Sequence, residues 1–236
     1  MSTEYDGRGE ELPPLAVDID GTMTRPDGGP RERSIDPRAL SALWEWPAPV
    51  VIATGKSFPY PVALCNFIGI PETVVAENGG VVLAGEEVHY AGDPDAARAV
   101  VDAYQNAGYD LGWGPADTAN RWRETEVAVS LDSPEEPLRE IAAEYGMTVL
   151  DTGYAYHVVS PDVSKGTGLR VVTDVLGLDL DSFVAVGDSE NDASTFEVVG
   201  RSFAVSNADD VASRTADEVT DGAHADGLLE ALERIT

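Results

Sequence analysis

The feature that most constrains the fold is a series of short apolar runs, each of which ends abruptly in polar residues. The first run, Leu15-Ala16-Val17, is followed by Asp18, Asp20 and Gly21. Continuous apolar runs of this length are typical of parallel strands that are buried on both faces. In open α/β sheets ligands bind outside the carboxyl ends of such strands, so the two acids lie where a site is expected.

Two interpretations of Asp18 and Asp20 stay open on this segment alone. Carboxylates this close repel each other unless a cation lies between them, and Mg²⁺ prefers carboxylate and carbonyl oxygens. Asp-Gly is also a common turn dipeptide, so the acids could simply begin a turn. An EF-hand calcium loop is excluded, because a strand precedes the acids and the twelfth loop position is Gly29 rather than a glutamate.

The second apolar run repeats this arrangement. Pro49-Val50-Val51-Ile52-Ala53 ends at Thr54-Gly55-Lys56-Ser57, where a hydroxyl and the start of a helix could bind a phosphoryl oxygen. Thr54 could equally cap the helix, which is the commoner use of threonine at such a position. Val74-Val75-Ala76 then leads into Glu77-Asn78-Gly79-Gly80, and Val81-Val82-Leu83 returns as the partner of a hairpin.

The later part of the chain carries another acidic strand end. Phe183-Val184-Ala185-Val186 is followed by Gly187-Asp188-Ser189-Glu190-Asn191-Asp192, which places Asp188 and Asp192 four residues apart, on one side of a turn that enters a helix. Val199 at the twelfth position excludes a calcium loop here as well. Lys165 begins a predicted helix beside Gly166, where a fixed cation could bind phosphate or balance neighbouring acids. A solvated acidic turn and an ordinary surface lysine are the alternatives.

The charge of the chain bears on its environment and its partners. The 236 residues contain 43 acidic and 15 basic side chains, which gives a formal net charge of −28. Such acidity disfavours nucleic acid and anionic membranes as partners. It favours a protein adapted to high salt, because at about 1 M salt the Debye length falls to about 3 Å and self-repulsion is screened. Lys56 and Lys165 are the only lysines.

The sequence also predicts where the protein is found. Cys65 is alone, so no intramolecular disulfide forms, and a reducing compartment is expected. No run of 18 apolar residues occurs, and the polar, acidic start differs from a signal peptide. We therefore expect a cytoplasmic protein with a frayed tail over residues 1–11.

The middle of the chain departs from the alternation of strands and helices. It predicts a helix over 94–107, a strand over 127–131, a second helix over 134–145 and a strand over 147–150. Tyr156-His157-Val158-Val159-Ser160 is expected to return to the core. The prediction is therefore an α/β fold: a Rossmann-like, doubly wound parallel sheet formed by residues 1–83 and 157–236, with an inserted α+β domain at 84–156.

Taken together, these motifs resemble those of the haloacid dehalogenase superfamily of phosphohydrolases. Asp18-Ile19-Asp20-Gly21-Thr22 resembles its first motif, Thr54-Gly55 its second, Lys165 its third and Gly187 to Asp192 its fourth. Their order and spacing agree, and the motif-bearing core covers about two thirds of the chain. Lys56 departs from the pattern, since many relatives carry arginine there. The inserted segment resembles a short class-two cap, as in the archaeal phosphoglycolate phosphatases.

The resemblance implies a Mg²⁺-dependent phosphatase that acts on a small phosphorylated metabolite, with 2-phosphoglycolate as the expected substrate. Asp18 would be the nucleophile and Asp20 the general acid and base. The metal ligands would be Asp18, Asp20 through its backbone carbonyl, and Asp188, with Asp192 in support. The substrate-binding residues would be Thr54, Lys165 and Asn191. A sugar-phosphate phosphatase, a phosphomutase and a catalytically silent phosphate-binding module are the alternatives, and a homodimer is possible.

Two arginines of the predicted cap could select the substrate. Phosphoglycolate carries a carboxylate besides its phosphate, so the cap is expected to bring a cation or backbone amides to it. Arg121 and Arg123 would share one face if the strand at Val127 extended back to them. Both could instead be surface residues that balance Glu124 and Glu126.

Overall fold

The computed structural model of the protein describes residues 12–25 and 34–236, so the tail expected over residues 1–11 lies outside the described residues. Within the described ranges the chain forms a large sheet, a small sheet and eight α-helices. The strands are β1 Leu15–Val17, β2 Val50–Ala53, β3 Val74–Ala76, β4 Val81–Ala84, β5 Glu87–Tyr90, β6 Val127–Ser130, β7 Thr148–Asp151, β8 Ala155–Val159, β9 Val184–Gly187, β10 Arg201–Ala204 and β11 Glu218–Val219. The helices are α1 Pro37–Glu45, α2 Pro59–Ile68, α3 Pro94–Asn106, α4 Glu135–Glu144, α5 Lys165–Leu176, α6 Glu190–Phe196, α7 Asp210–Thr215 and α8 His224–Ile235.

The large sheet has eight strands in the order β11-β10-β9-β1-β2-β3-β4-β5. The strands from β11 to β3 are parallel, and β4 and β5 continue the sheet as antiparallel strands. Helices cover both faces. Leu15 and Val17 pack in one core with residues of α1, α2 and α8, while Ala16 faces a second core with residues of α5, α6 and α7. The predicted doubly wound α/β class is confirmed.

Cys65 on α2 belongs to the first of these cores. Its side chain is fully buried, and it is not paired in a disulfide. Burial raises the pKa of its thiol to about 12, and the nearby charge of Glu72 adds to the shift. The thiol therefore stays protonated at neutral pH and behaves as a small apolar side chain.

The small sheet contains β6, β8 and β7 in that order, and all its pairings are antiparallel. Helices α3 and α4 pack on one face, where Val100, Tyr104 and Leu138 meet Tyr156 and Val158 of β8. Side chains alternate along a strand, so Ala155, His157 and Val159 face the other side.

Two segments belong to a different part of the fold from the one that the sequence predicted. Residues 87–90, within the predicted cap range of 84–156, form β5 and pair with β4 in the large sheet. The prediction that 156–160 returns to the core is wrong, because β8 is the central strand of the small sheet. Both errors arise because a sequence indicates how buried a strand is but not the sheet in which it pairs. An edge strand such as β5 is mostly exposed and reads as polar, whereas a central strand such as β8 is buried along its length and reads as core.

No helix among the described residues is long and apolar enough to cross a membrane. The longest, α3, has 13 residues, and a span of the hydrocarbon core takes about 20.

Candidate active site

Strand order places the predicted acids at one edge of the large sheet. Strand β1 lies between β9 and β2, with Val17 opposite both Val186 and Ile52. The residues that follow these strands therefore meet, and Asp18, Asp188 and Asp192 each offer a carboxylate oxygen within 4.8 Å of the others. We call these three residues and Lys165 the acid centre.

Lys165 connects two of the acids. Its Nζ donates to Asp18 Oδ1 at 2.6 Å and to Asp192 Oδ1 at 2.7 Å, and its side chain is fully buried. The second oxygen of Asp192 accepts from the backbone amides of Asp188 and Ser189. These contacts fix the direction of Asp18 and Asp192, and Lys165 itself does not line the cavity described below.

The electrostatics of the acid centre indicate that positive charge is in deficit there. Burial raises the pKa of Asp18 to about 7; Lys165 opposes the shift and Asp192 adds to it. Burial, together with the charges of Asp18 and Asp192, raises the pKa of Asp188 to about 9. Burial alone would lower the pKa of Lys165, but Asp18 and Asp192 raise it above its usual value. One lysine therefore does not balance the two buried carboxylates of Asp18 and Asp192 together with the half-buried carboxylate of Asp188.

The acid centre fits a divalent cation. Asp188 Oδ1 is buried and has no hydrogen-bond partner among the described residues. Carboxylate oxygens are the ligands that Mg²⁺ prefers, and a bound cation would supply the missing positive charge. Gly21 keeps the space open, because its φ is +76° and a Cβ there would lie 1.8 Å from Asp188 Oδ2.

Asp20 lies apart from this cluster. Its Oδ2 pairs with Lys56 Nζ at 2.8 Å, and its Oδ1 is buried without a partner in the described part of the chain. The carboxylate of Asp20 is therefore not among the three clustered oxygens, and its predicted contribution to the metal through the backbone carbonyl stays a prediction. Lys56 also stands 5.7 Å from the centre of the Tyr154 ring.

A cavity of about 350 Å³ opens above these residues. From the core it is lined by Asp18, Asp20, Thr54, Lys56, Asp188 and Asn191, together with Asn207 and His224. From the segment around the small sheet it is lined by Arg123, Thr152, Gly153, Tyr154 and His157. Five of the predicted site residues thus share one cavity, whereas Asp192 and Lys165 do not line it and reach it through their contacts with Asp18 and Asp188.

Thr54 and Asn191 line the cavity but also bind other protein groups. Thr54 Oγ1 accepts from the backbone amide of Lys56 at 3.2 Å. Asn191 accepts from the Ser189 hydroxyl at 2.7 Å, and its amide donates to Asn78 Oδ1 at 2.8 Å. Their roles in substrate binding remain predictions.

A second buried network joins the two sheets, and we call it the cap–core contact: Glu77, Asn78, Arg123, Glu124, Thr125 and Glu126. Glu77 accepts from the backbone amides of Glu124 and Thr125 and from the Thr125 hydroxyl. Burial raises the pKa of Glu77, and the charge of Glu126 adds to the shift. Asn78 donates to Glu126 Oε2 at 2.8 Å.

The sequence predicts Glu77 and Asn78 only as a turn and does not mark Glu126 or His157 as site residues. One signal was available for the first pair, because Glu77 follows β3 just as Asp18 follows β1. The two arginines also differ from the expectation. The strand begins only at Val127, Arg121 is exposed, and Arg123 is nearly buried, with only 4% of its side chain accessible.

The fold and the acid centre define a class of α/β hydrolases in which an aspartate at the end of the central strand faces a second acidic strand end. The chain matches the family described as haloacid dehalogenase-like hydrolase over residues 15–110 and 128–232. The chain is a member of this family, and the predicted resemblance is confirmed.

Archaeal relatives match nearly the whole chain. A phosphoglycolate phosphatase of Natronomonas pharaonis is 59% identical, covering 94% of this chain and 96% of its own. The phosphoglycolate phosphatase of Haloarcula marismortui is 55% identical with the same coverage, and that of Methanothermobacter thermautotrophicus is 36% identical over 93% and 97%.

Solved structures share the fold. The crystal structure of Thermoplasma acidophilum 0175 superposes with a TM-score of 0.81 at 23% identity, covering 96% of this chain and 99% of its own. A structure from a study of a trigonal-bipyramidal intermediate in a phosphoryl-transfer superfamily gives a TM-score of 0.76 at 18% identity, over 95% and 100%. At these identities the likeness concerns the fold alone.

Proposed function

We propose that this protein hydrolyses 2-phosphoglycolate to glycolate and phosphate. The assignment of the substrate rests on the 59% identity, over 94% of the chain, with a protein named phosphoglycolate phosphatase. The cavity supports the reaction type, since it presents Asp18 beside other acids at the carboxyl edge of the sheet, where chemistry in such folds takes place.

In the proposed mechanism Asp18 attacks phosphorus with a carboxylate oxygen. The bond from phosphorus to the glycolate oxygen breaks, and Asp20 donates a proton to that leaving oxygen. Asp20 then takes a proton from a water molecule, which attacks the phosphorus of the aspartyl-phosphate. The bond from phosphorus to the Asp18 oxygen breaks, which releases phosphate and restores the Asp18 carboxylate. Lys165 supports this cycle by holding Asp18 in place at 2.6 Å.

We infer that Mg²⁺ is held by Asp18 and Asp188, with Asp192 in support and the Asp20 carbonyl as a further ligand. When bound, the ion would neutralise negative charge on the phosphoryl oxygens. Thr54 and Asn191 would bind the phosphoryl group from the cavity wall. The segment with the small sheet, residues 91–160, would act as the cap over this site.

The substrate is tested with a panel of phosphate esters in molar KCl with Mg²⁺. Phosphoglycolate is expected to give the highest kcat/KM, and activity should disappear with a chelator and return with added Mg²⁺. Preference for a sugar phosphate, or turnover that survives chelation, would contradict the proposal. Cytoplasmic location and a homodimer remain predictions.

A further inference from the structure

The cap side of the cavity contains one histidine whose orientation is fixed by the strand. His157 lies on β8 between Tyr156 and Val158, which pack against the cap helices. Because side chains alternate along a strand, His157 faces the opposite way, toward the core, and lines the cavity. Only 2% of its side chain is accessible.

Glu126 sets the hydrogen-bonding state of this ring. His157 Nδ1 lies 2.9 Å from Glu126 Oε1, and a carboxylate accepts, so Nδ1 carries the proton and donates. Glu126 does not line this cavity; it lines a second cavity, which Arg123 also borders. Within the described residues no hydrogen bond forms to Nε2. This nitrogen is therefore the polar atom that the ring can offer to a ligand.

Arg123 is less free to bind a ligand than its place in the cavity wall suggests. Its Nε donates to Ala119 O and its Nη1 to Gly55 O, both at 2.9 Å, and Nη1 also contacts the Glu126 carboxylate. Among the described residues only Nη2 of this guanidinium group has no hydrogen bond. Burial would raise the pKa of Glu126, but His157 and Arg123 hold it below its usual value, so Glu126 is ionised and Arg123 balances it.

Of the two basic cap groups that could donate to an anion, His157 has a ring nitrogen with no partner among the described residues, whereas two of the three guanidinium nitrogens of Arg123 are engaged. Lys56 is paired with Asp20 across the cavity floor. A proton on Nε2 would make the His157 ring a cation with one N–H on Glu126 and the other toward the cavity. Such a charge-assisted donor pairs well with a carboxylate.

We propose that His157, held by Glu126, recognises the carboxylate of the substrate through Nε2–H and thereby selects phosphoglycolate over phosphate esters that lack a carboxylate. This inference rests on the proposed function. It replaces the expectation that Arg121 or Arg123 makes this contact.

The test compares phosphoglycolate with ethyl phosphate, which carries the phosphate without the carboxylate. His157→Gln keeps a side chain of similar length but cannot become a cation. Its kcat/KM for phosphoglycolate should fall about 10- to 100-fold, while that for ethyl phosphate stays within about twofold. His89→Gln is the matched control, because His89 lies on β5 and faces a glutamate, Glu87, outside the cavity. It should change neither value.

The outcomes separate this inference from the proposed function. If kcat/KM of His157→Gln falls equally for both esters, or if the variant retains the preference for phosphoglycolate, the proposed role of His157 is wrong. The proposal that phosphoglycolate is the substrate is then unaffected. If the unaltered enzyme treats both esters alike, both proposals fail. Loss of discrimination in Arg123→Lys but not in His157→Gln would assign the contact to Arg123.

A measurement on the unaltered protein covers the case in which His157→Gln does not fold. Long-range ¹H–¹⁵N spectra of the three histidine rings are recorded with and without glycolate, the carboxylate-bearing product. His89→Gln and His224→Gln assign the other two rings. The His157 Nε2 signal is expected to move to the protonated position when glycolate is added. An unchanged His157 ring in saturating glycolate would overturn the inference.

Discussion

The acid centre and the cap–core contact are both buried networks of charged groups, but they are assembled differently. The acid centre stands on adjacent parallel strands whose register is fixed, with Val17 opposite Val186. The cap–core contact joins a turn after β3 to the loop before β6, and backbone amides of residues 124 and 125 do much of the binding. The first network therefore places atoms for chemistry, and the second holds one part of the molecule against another.

The largest expected effect lies in the acid centre. Asp18→Asn should lower turnover roughly 10⁴- to 10⁶-fold, because it removes the nucleophile and one metal ligand. The fold should be retained, as measured by circular dichroism. Asp174→Asn makes the same chemical change on the exposed side of α5 and should leave kcat unchanged. More than a trace of Mg²⁺-dependent activity in Asp18→Asn would contradict the assignment of the chemistry to the acid centre.

Gly21→Ala should have the next largest effect. The added Cβ would displace Asp188, whose Oδ2 lies 1.8 Å from its position, so we expect Mg²⁺ affinity to fall about 10- to 100-fold. Gly146→Ala is the control, because Gly146 has a similar φ of +69° but open space around it. Titration of activity with Mg²⁺ measures the effect. Equal losses in the two variants would indicate backbone strain rather than crowding of Asp188.

A change in the cap–core contact should alter stability more than chemistry. Glu77→Gln weakens the hydrogen bonds to Thr125 and the Glu124 amide, so the free energy of unfolding should fall by about 1.5–3 kcal/mol. Activity at saturating substrate should stay within a few-fold. Urea denaturation and steady-state kinetics measure both, with the exposed Glu87→Gln as control. A loss of kcat as deep as that of Asp18→Asn would show that the two networks are not separate in function.

The smallest effect should come from salt, which acts on neither buried network directly. The net charge of −28 is carried largely by exposed acids, and their repulsion is screened as the Debye length falls from about 10 Å at 0.1 M to about 3 Å at 1 M. We expect Tm to rise between about 0.1 and 3 M KCl by at least the 2–4 °C that correspond to about 1 kcal/mol. A flat or falling Tm would contradict a surface adapted to salt.

The same contrast explains what could be predicted from the sequence. Asp18, Thr54 and Asp188 each follow a buried apolar run, and the rule that parallel strands end at one edge was enough to bring them together. Arg123, Glu126 and His157 could not be placed this way, because their partners depend on how the small sheet docks on the large one. Nothing local in the sequence encodes that docking.

The two errors in sheet assignment share this limit. Residues 155–159 are buried along their whole length, since β8 is central and is covered on both faces. Such a run looks the same in either sheet. Burial can be inferred from composition, whereas the sheet to which a strand belongs is decided by pairing, here with the distant Val127 and, through a short hairpin, with Thr148.

The burial of Cys65 has a practical consequence for spectroscopy. Thiol reagents attack the thiolate, and a fully buried thiol with a pKa of about 12 supplies almost none at neutral pH. Maleimide dyes and spin labels are therefore expected not to react with the natural chain. Asp95→Cys, on the exposed start of α3, would provide a single reactive position whose label reports changes in its surroundings during turnover.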